Sequence, residues 1–132
     1  MSGEKDLARM LATIEPKLQD GDYVFCSIGD GTAVDIKDVV LYFTEEEGPT
    51  LILKKEKADQ LGFDYAFVAA WITLTVHSSL EAVGLTAAFS KALADKGISC
   101  NVVAAYYHDH IFVAQKDARE AMAVIRGLRG GH

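Results

Sequence analysis

The chain has 132 residues, half of them hydrophobic and about a quarter charged, which is the composition of a folded globular protein rather than of a disordered one. Its formal net charge of −6 argues against a nucleic-acid partner, because contact with a phosphate backbone requires a basic surface. The longest stretch without a charge or a strongly polar group, residues 66–76, is too short to span a bilayer as a helix, so no membrane segment is expected.

The beginning of the chain and the two cysteines favour the cytoplasm. Residues 1–18 carry charges throughout and follow a helical pattern, so they do not resemble a secretory signal. Cys26 and Cys100 lie in apolar, strand-like segments and lack the spacing of a metal-binding pair, which indicates buried, reduced thiols. We therefore expect a cytoplasmic protein without a cofactor.

The first half of the chain predicts a helix, three strands and a second, short helix. Leu7, Met10 and Ile14 recur at helical spacing, so a helix is expected from about residue 3 to Glu15, where Pro16 ends it. β-Branched and aromatic runs between glycine-rich or acidic loops predict the strands. These strands cover residues 23–28, 39–44 and 50–53, and the short helix covers residues 54–61 before Gly62.

The second half predicts a strand, a helix, a hairpin and a last helix. Residues 65–76 alternate as a strand does, but this strand is long for so small a protein, so we expect it to bend or to serve two sheets. A helix follows the tripeptide His77-Ser78-Ser79 and ends at Gly97. The hairpin consists of residues 98–106 and 110–114 around a turn at His108-Asp109, and apolar periodicity predicts the last helix over residues 118–128.

The order β-α-β-β-α in the second half predicts an α+β protein of the ferredoxin-like type, β-α-β-β-α-β, with both helices on one face of the sheet. The final strand is missing, because the glycine-rich residues 127–132 do not form one. The first half, in contrast, has surplus strands. We therefore expect two units in tandem, with strand exchange in which one half donates a strand to the other.

Two stretches of the second half resemble a known family. Residues 78–86, Ser-Ser-Leu-Glu-Ala-Val-Gly-Leu-Thr, resemble the step from the first strand to the first helix of ACT domains. Residues 106–113, Tyr-Tyr-His-Asp-His-Ile-Phe-Val, resemble the hairpin that follows in small tandem-ACT proteins, and similar units occur in cytosolic amino-acid sensors. The resemblance implies two ACT-like units, residues 1–65 and residues 66–132, with a boundary inside or next to the long strand.

The same resemblance implies a regulatory or sensor protein that binds an amino acid or a related metabolite and does no chemistry on it. In ACT domains, the loop after the first strand and the start of the first helix line a ligand site where two units meet. To these positions we add the aspartate of the following hairpin. Carried onto this chain, the ligand-binding residues are Ser78, Ser79, Glu81, Val83, Gly84, Leu85 and Asp109.

The chemistry of these residues fits such a ligand. A helix N-terminus has unpaired backbone N–H groups and a partial positive charge, so it accepts a carboxylate. Glu81 can hold an ammonium group, and the hydroxyls of Ser78 and Ser79 can donate or accept. Gly84 lets a ligand or a neighbouring backbone come close. A purely structural interpretation exists for each residue: the serines cap the helix, Glu81 complements its dipole and Gly84 allows tight packing.

Two other functions are open at this point. The first is a structural or protein-interaction module without a ligand. The second is a metal-binding or enzymatic role for His77, His108 and His110, since the last two would point to one face of a strand; two histidines are nevertheless short of a zinc shell, and a polar turn is the simpler interpretation.

No nucleophile stands beside a suitable base in the sequence, so the protein is not expected to be an enzyme. An open sheet face in a small α/β unit exposes apolar area that a second subunit can cover. We therefore expect a homodimer, formed through sheet edges or through the strand face of residues 65–71.

Overall fold

The computed structural model describes residues 6–76 and 83–130, and it shows the predicted α+β fold. None of the helices within these residues is long and apolar enough to cross a membrane. In chain order the elements are α1 (Leu7–Thr13), β1 (Glu15–Leu18), β2 (Tyr23–Ser27), β3 (Val39–Phe43), β4 (Thr50–Lys54), α2 (Lys55–Leu61), β5 (Val68–Thr75), α3 (Leu85–Asp95), β6 (Asn101–Ala104), β7 (Asp109–Ala114) and α4 (Ala118–Gly127).

The chain divides into two compact units. Residues 20–70 form one of them, which we call the continuous unit. Residues 1–19 together with residues 71–132 form the other, which we call the composite unit. Strand β5 begins in the continuous unit and ends in the composite unit, so the long strand expected over residues 65–76 is shorter than predicted but contributes to both.

The continuous unit is an antiparallel sheet in the order β3-β4-β2-β5, with α2 packed on strands β2 and β4. Helix α2 ends at Gly62, whose left-handed φ of 72° closes the last turn as predicted. A single 3-10 turn, Ile36–Asp38, stands where a ferredoxin-like unit has its first helix. The core cluster of this unit consists of Val24, Cys26, Ile28, Leu51, Leu53 and Ala58.

The composite unit takes its fourth strand from the beginning of the chain. The elements from β5 to α4 follow the predicted β-α-β-β-α order, and β1 pairs antiparallel with β5 so that Pro16 lies opposite Leu74. The strand order within the unit is β1-β5-β7-β6. The expected strand donation is thus confirmed, and β1 is the donated strand.

The first helix is shorter than predicted. The chain becomes extended at Glu15, which the sequence assigned to the helix, and it forms β1 from there. Helix α1 covers Leu7–Thr13, with the Asp6 carboxylate as its N-cap, and Glu15 begins the strand instead of ending the helix. Proline is tolerated in β1 because β1 pairs with β5 alone among the described strands, and an edge strand leaves some N–H groups unused. Arg129 fastens the segment: its Nε donates to the Ile14 carbonyl at 2.6 Å, and its guanidinium forms an ion pair with Glu15.

Strand β6 is also shorter than the predicted residues 98–106. The N–H of Ile98 donates to the carbonyl of Leu93 at 3.0 Å, so Ile98 belongs to the C-terminal cap of α3 and not to the strand. Gly97, with φ of 73°, allows this cap. The fully buried side chains of the composite unit include Met10, Ile14, Ile72, Leu74, Phe89, Leu93, Ile111 and Ile125.

Candidate ligand site at the N-terminus of helix α3

The predicted site residues fall into two groups. Ser78, Ser79 and Glu81 lie outside the residues that the structure describes. Val83 and Gly84 lead into helix α3, Leu85 is its first residue, and Asp109 is the first residue of β7. Val83 is 83% exposed, whereas Leu85 is buried. The candidate site within the described chain therefore consists of the N-terminus of α3 together with Asp109.

Gly84 is the N-cap residue of α3 and has a left-handed φ of 97°. An L side chain is strained in this conformation. A Cβ at this position would also lie 3.1 Å from Cδ2 of Leu7 in α1. The backbone conformation and the contact with α1 account for glycine here without a ligand.

The N-terminus of α3 has no side-chain cap within the described residues. The first backbone bond of the helix joins the N–H of Ala88 to the carbonyl of Gly84 at 2.9 Å, so the N–H groups of the first turn point out of the helix. Helix α1 differs, because the carboxylate of Asp6 accepts hydrogen bonds from the N–H groups of Ala8 and Arg9. The N-terminus of α3 is thus suited to a carboxylate from another molecule.

Asp109 is a buried carboxyl group, 9% exposed, opposite Ala104 of β6. Burial raises the pKa of this carboxyl group, and the nearby His108 opposes the shift. The Nδ1 atom of His108 is buried as well and has no hydrogen-bond partner within residues 6–76 and 83–130. Because a buried carboxylate is costly unless a cation or hydrogen-bond donors compensate it, Asp109 is suited to hold a positively charged group.

Strand pairing places Asp109, at the start of β7, beside the end of β5, from which the chain leads to α3. Strands β5 and β7 are neighbours, and Oγ1 of Thr73 lies 3.0 Å from Nδ1 of His110. Thr73 lies near the end of β5, and His110 lies near the start of β7, so these two strand ends are together. The connection to α3 begins at this end of β5. The buried carboxyl group of Asp109 therefore lies beside the start of that connection.

The sequence did not indicate the hydrogen-bonded network around His110. The indole N–H of Trp71 donates to Nδ1 of His110 at 3.0 Å, and Nε2 of Gln19 donates to Oγ1 of Thr73 at 2.9 Å. An indole only donates, so Nδ1 accepts, and the neutral ring carries its proton on Nε2. Burial, and after it the nearby His108, lowers the pKa of His110. The one available signal was the alternation of β5, which places Trp71 and Thr73 on the same face.

The network bears on the metal hypothesis. No group of three or more histidine, cysteine, aspartate or glutamate side chains comes together within the described residues, and His77 lies outside them. The rings of His108 and His110 are 6.4 Å apart between centroids and meet edge to face. Nδ1 of His110 faces the indole and Nε2 is protonated, so neither nitrogen of this ring offers a free lone pair to a metal.

The sequence matches the ACT domain twice. One match covers residues 2–70 and the other covers residues 67–127. No curated protein matches the chain.

Among solved structures, a Vibrio cholerae protein of unknown function, described as a possible transport protein, is 45% identical to the chain. The similarity covers 95% of this chain and 97% of that one, with a TM-score of 0.81. An Agrobacterium tumefaciens protein is 15% identical, with a TM-score of 0.71 over 88% of this chain and 89% of that one. The ligand-free regulatory subunit of aspartate kinase from Thermus thermophilus is 12% identical, with a TM-score of 0.56 over 87% of this chain and 95% of that one. At these last two identities, the similarity is one of fold.

Proposed function

Because the chain belongs to the ACT-domain family, with two ACT units in tandem, we propose that it is a non-catalytic sensor of an amino acid or a related metabolite. ACT domains and the structural similarity to an aspartate kinase regulatory subunit point to a regulatory, ligand-binding role. Beyond this general role, the ligand is an amino acid or a related metabolite, and the protein binds it without reacting with it.

What supports this proposal is that the composite unit holds two opposite electrostatic features: the start of helix α3, and a buried carboxyl group beside the end of β5, from which the chain leads to that helix. The N-terminus of α3 offers backbone N–H groups and partial positive charge, with no side-chain cap in the described residues. Asp109, at the start of β7 and beside the end of β5, offers a buried carboxyl group whose charge a bound ammonium group would compensate. An α-amino acid carries a carboxylate and an ammonium group close together, so it complements both features.

The proposal assigns a role to each remaining site residue. The hydroxyls of Ser78 and Ser79 add hydrogen bonds to the ligand carboxylate, and Glu81 supplements Asp109 at the ammonium group. Val83, which is largely exposed, and Leu85 border the site, while Gly84 sets the direction of the helix.

The proposal also concerns the whole protein. We place the two ACT-like units at residues 1–65 and 66–132, and we propose that the protein acts in the cytoplasm as a homodimer, without a nucleic-acid or membrane partner. The net charge of −6 supports the exclusion of nucleic acid.

A thermal-shift screen of the full chain tests the proposal. The protein is heated with each of the twenty amino acids and a few related metabolites at millimolar concentration. It is then heated with two analogues of the strongest ligand, one without the carboxylate and one without the amino group. Ligand at about 100 times its dissociation constant stabilises the native state by about 2.7 kcal/mol, which is a readily measured rise in Tm.

The expected result is a concentration-dependent shift with one or a few amino acids and a much smaller shift with either analogue. If none of the amino acids and related metabolites changes Tm, the sensor proposal is wrong, and a protein-interaction module becomes the better interpretation. If both analogues act as strongly as the parent, recognition of the two charged groups is excluded.

A further inference from the structure

Two large aromatic side chains form the tip of the hairpin between β6 and β7. The N–H of Ala105 donates to the carbonyl of His108 at 3.0 Å and closes the turn, so Tyr106 and Tyr107 lie at its tip. Their exposed fractions are 72% and 75%. Turn tips are dominated by glycine, proline, asparagine, aspartate and serine, each of which favours the backbone of a turn, and tyrosine is not among them. The turn itself therefore does not account for the two tyrosines.

The two rings form one aromatic surface. Their centroids are 4.9 Å apart, and the ring planes meet edge to face at 73°. This arrangement is favourable for a pair of aromatic rings, so each tyrosine stabilises the position of the other. An exposed tyrosine offers an apolar ring beside a polar hydroxyl, which is why tyrosine is common at binding surfaces. The tip is thus suited to contact an apolar group of another molecule.

The tip lies at the end of the composite unit that holds the candidate ligand site. The turn directly precedes Asp109, the first residue of β7. Helix α3 is joined to β6 by residues 96–100, and the start of β6 lies beside the end of β7, because Asn101 pairs with Phe112. The C-terminus of α3 is therefore at the end of the unit away from the tip. Since a helix in a β-α-β crossover runs back along its sheet, the N-terminus of α3 is at the end that holds the tip and Asp109.

Val83 adds a third exposed apolar side chain at this end. It directly precedes Gly84, the N-cap residue of α3, and it is 83% exposed. Asp109 is buried, and the proposed function assigns it to the ammonium group of the ligand. Val83, Tyr106 and Tyr107 are uncharged, so they offer no ion pair to a charged ligand side chain. A large apolar group that covers them removes apolar surface from water, which favours binding.

We infer that the hairpin tip and Val83 hold the side chain of the ligand, and that the ligand is an amino acid with a large aliphatic or aromatic side chain. This inference rests on the proposed function, because it concerns the same site. The N-terminus of α3 and Asp109 bind the carboxylate and ammonium groups, which all amino acids share. Tyr106, Tyr107 and Val83 distinguish one amino acid from another, so they determine specificity.

Calorimetric titration of the full chain with leucine, phenylalanine, alanine, lysine and glutamate tests the inference. Leucine or phenylalanine is expected to bind about 10- to 100-fold more tightly than alanine, because it buries a large apolar side chain against the tip. Lysine and glutamate are expected to bind no more tightly than alanine, since the tip offers no partner to their side-chain charges.

The combined variant Tyr106→Ala and Tyr107→Ala tests the role of the tip itself. Its affinity for the preferred amino acid is expected to fall about tenfold or more, whereas its affinity for alanine stays the same, because the methyl group of alanine is too short to cover the tip. Tyr42→Ala is the matched control. Tyr42 is 49% exposed and lies in β3 of the continuous unit, so this variant should bind every amino acid as the wild type does.

Val83→Ser is a second variant, at a side chain that is largely exposed, and it decides if circular dichroism shows that the tyrosine variant is unfolded. It is expected to lose about threefold or more in affinity for the preferred amino acid and none for alanine. If no amino acid binds the wild type, the proposed function fails and this inference fails with it. If a small or charged amino acid binds most tightly, or if the folded variants keep the wild-type ratio of affinities, the proposed function stands and the inference about the tip is overturned.

Discussion

Asp109 and His110 are adjacent in the chain, and burial shifts their pKa values in opposite directions for a single reason. A poorly solvated environment disfavours the charged form of each group, so the pKa of the Asp109 carboxyl group is raised and that of the His110 ring is lowered. At His110 the Trp71 indole adds a geometric cause, since protonation of Nδ1 would set two N–H donors against each other. Strand β7 therefore begins with two side chains, Asp109 and His110, whose charged forms are both disfavoured by burial.

The pH dependence of Trp71 fluorescence follows from this geometry. Trp71 is the only tryptophan, so its emission reports the protonation of the ring that it contacts. We expect a midpoint below the value of 6.5 for an unperturbed histidine. As the pH falls, the unfolded chain takes up this proton before the folded chain does. The contribution of His110 to stability is therefore fully present above 6.5 and is lost as the pH falls towards the lowered pKa of the folded state.

His110→Gln is the matched variant for this prediction, because the side-chain carbonyl of glutamine can still accept a hydrogen bond from the Trp71 indole. The variant should lose the fluorescence transition, and its free energy of unfolding should fall less between neutral and mildly acidic pH. A wild-type midpoint at or above 6.5, or an unchanged transition in His110→Gln, contradicts the assignment of the ring as neutral and locked by the indole.

At the scale of elements, helix α3 begins at a glycine for which the sequence left two interpretations open, close approach of a ligand and tight packing of the helix. The structure adds a left-handed φ at Gly84 and a close approach to Leu7 of α1. Neither feature was predictable, because φ depends on how the preceding loop meets the helix and Leu7 is remote in sequence. The stops at Gly62 and Gly97 were predictable, since a C-terminal glycine cap is a local signal.

Gly84→Ala is expected to destabilise the protein by about 1–3 kcal/mol, because a non-glycine residue is strained at this φ and its Cβ would crowd Leu7. Gly127→Ala is the control: Gly127 lies in helix α4, a Cβ there meets nothing within 4 Å, and alanine should stabilise the helix by about 0.5–1 kcal/mol. Urea denaturation of both variants measures these changes. If both substitutions change the free energy of unfolding by the same amount, conformational strain at Gly84 does not account for the effect of Gly84→Ala.

Strand β1 was not predictable from the local sequence pattern. Leu7, Met10 and Ile14 recur as in a helix, and two of them, Met10 and Ile14, are fully buried. The pattern nevertheless breaks after Thr13, because pairing with β5 and the contacts from Arg129 favour an extended chain at Glu15. Those partners come from the other end of the sequence, and no short-range signal contains them.

At the scale of the whole molecule, the order of elements predicted the fold class and the need for a donated strand. The β-α-β-β-α series with a glycine-rich end left one strand to be supplied, and β1 supplies it. The site was predictable only in part. The start of α3 was visible as a motif, while the network of Gln19, Trp71, Thr73 and His110 depends on strand pairing across the composite unit.

The most direct test of the account is a calorimetric titration of the amino acid selected by the screen into three proteins: the wild type, Asp109→Asn and Asp95→Asn. Asparagine keeps the shape of aspartate and removes its charge, so Asp109→Asn should bind about 10- to 100-fold more weakly. Asp95 is an exposed residue of α3 paired with Lys91, and its variant should bind as the wild type does. Without ligand, Asp109→Asn should be at least as stable as the wild type, because it no longer buries a carboxylate. Equal affinity of wild type and Asp109→Asn, or the absence of binding heat with the wild type, would contradict the claim that this chain senses an amino acid through the composite unit.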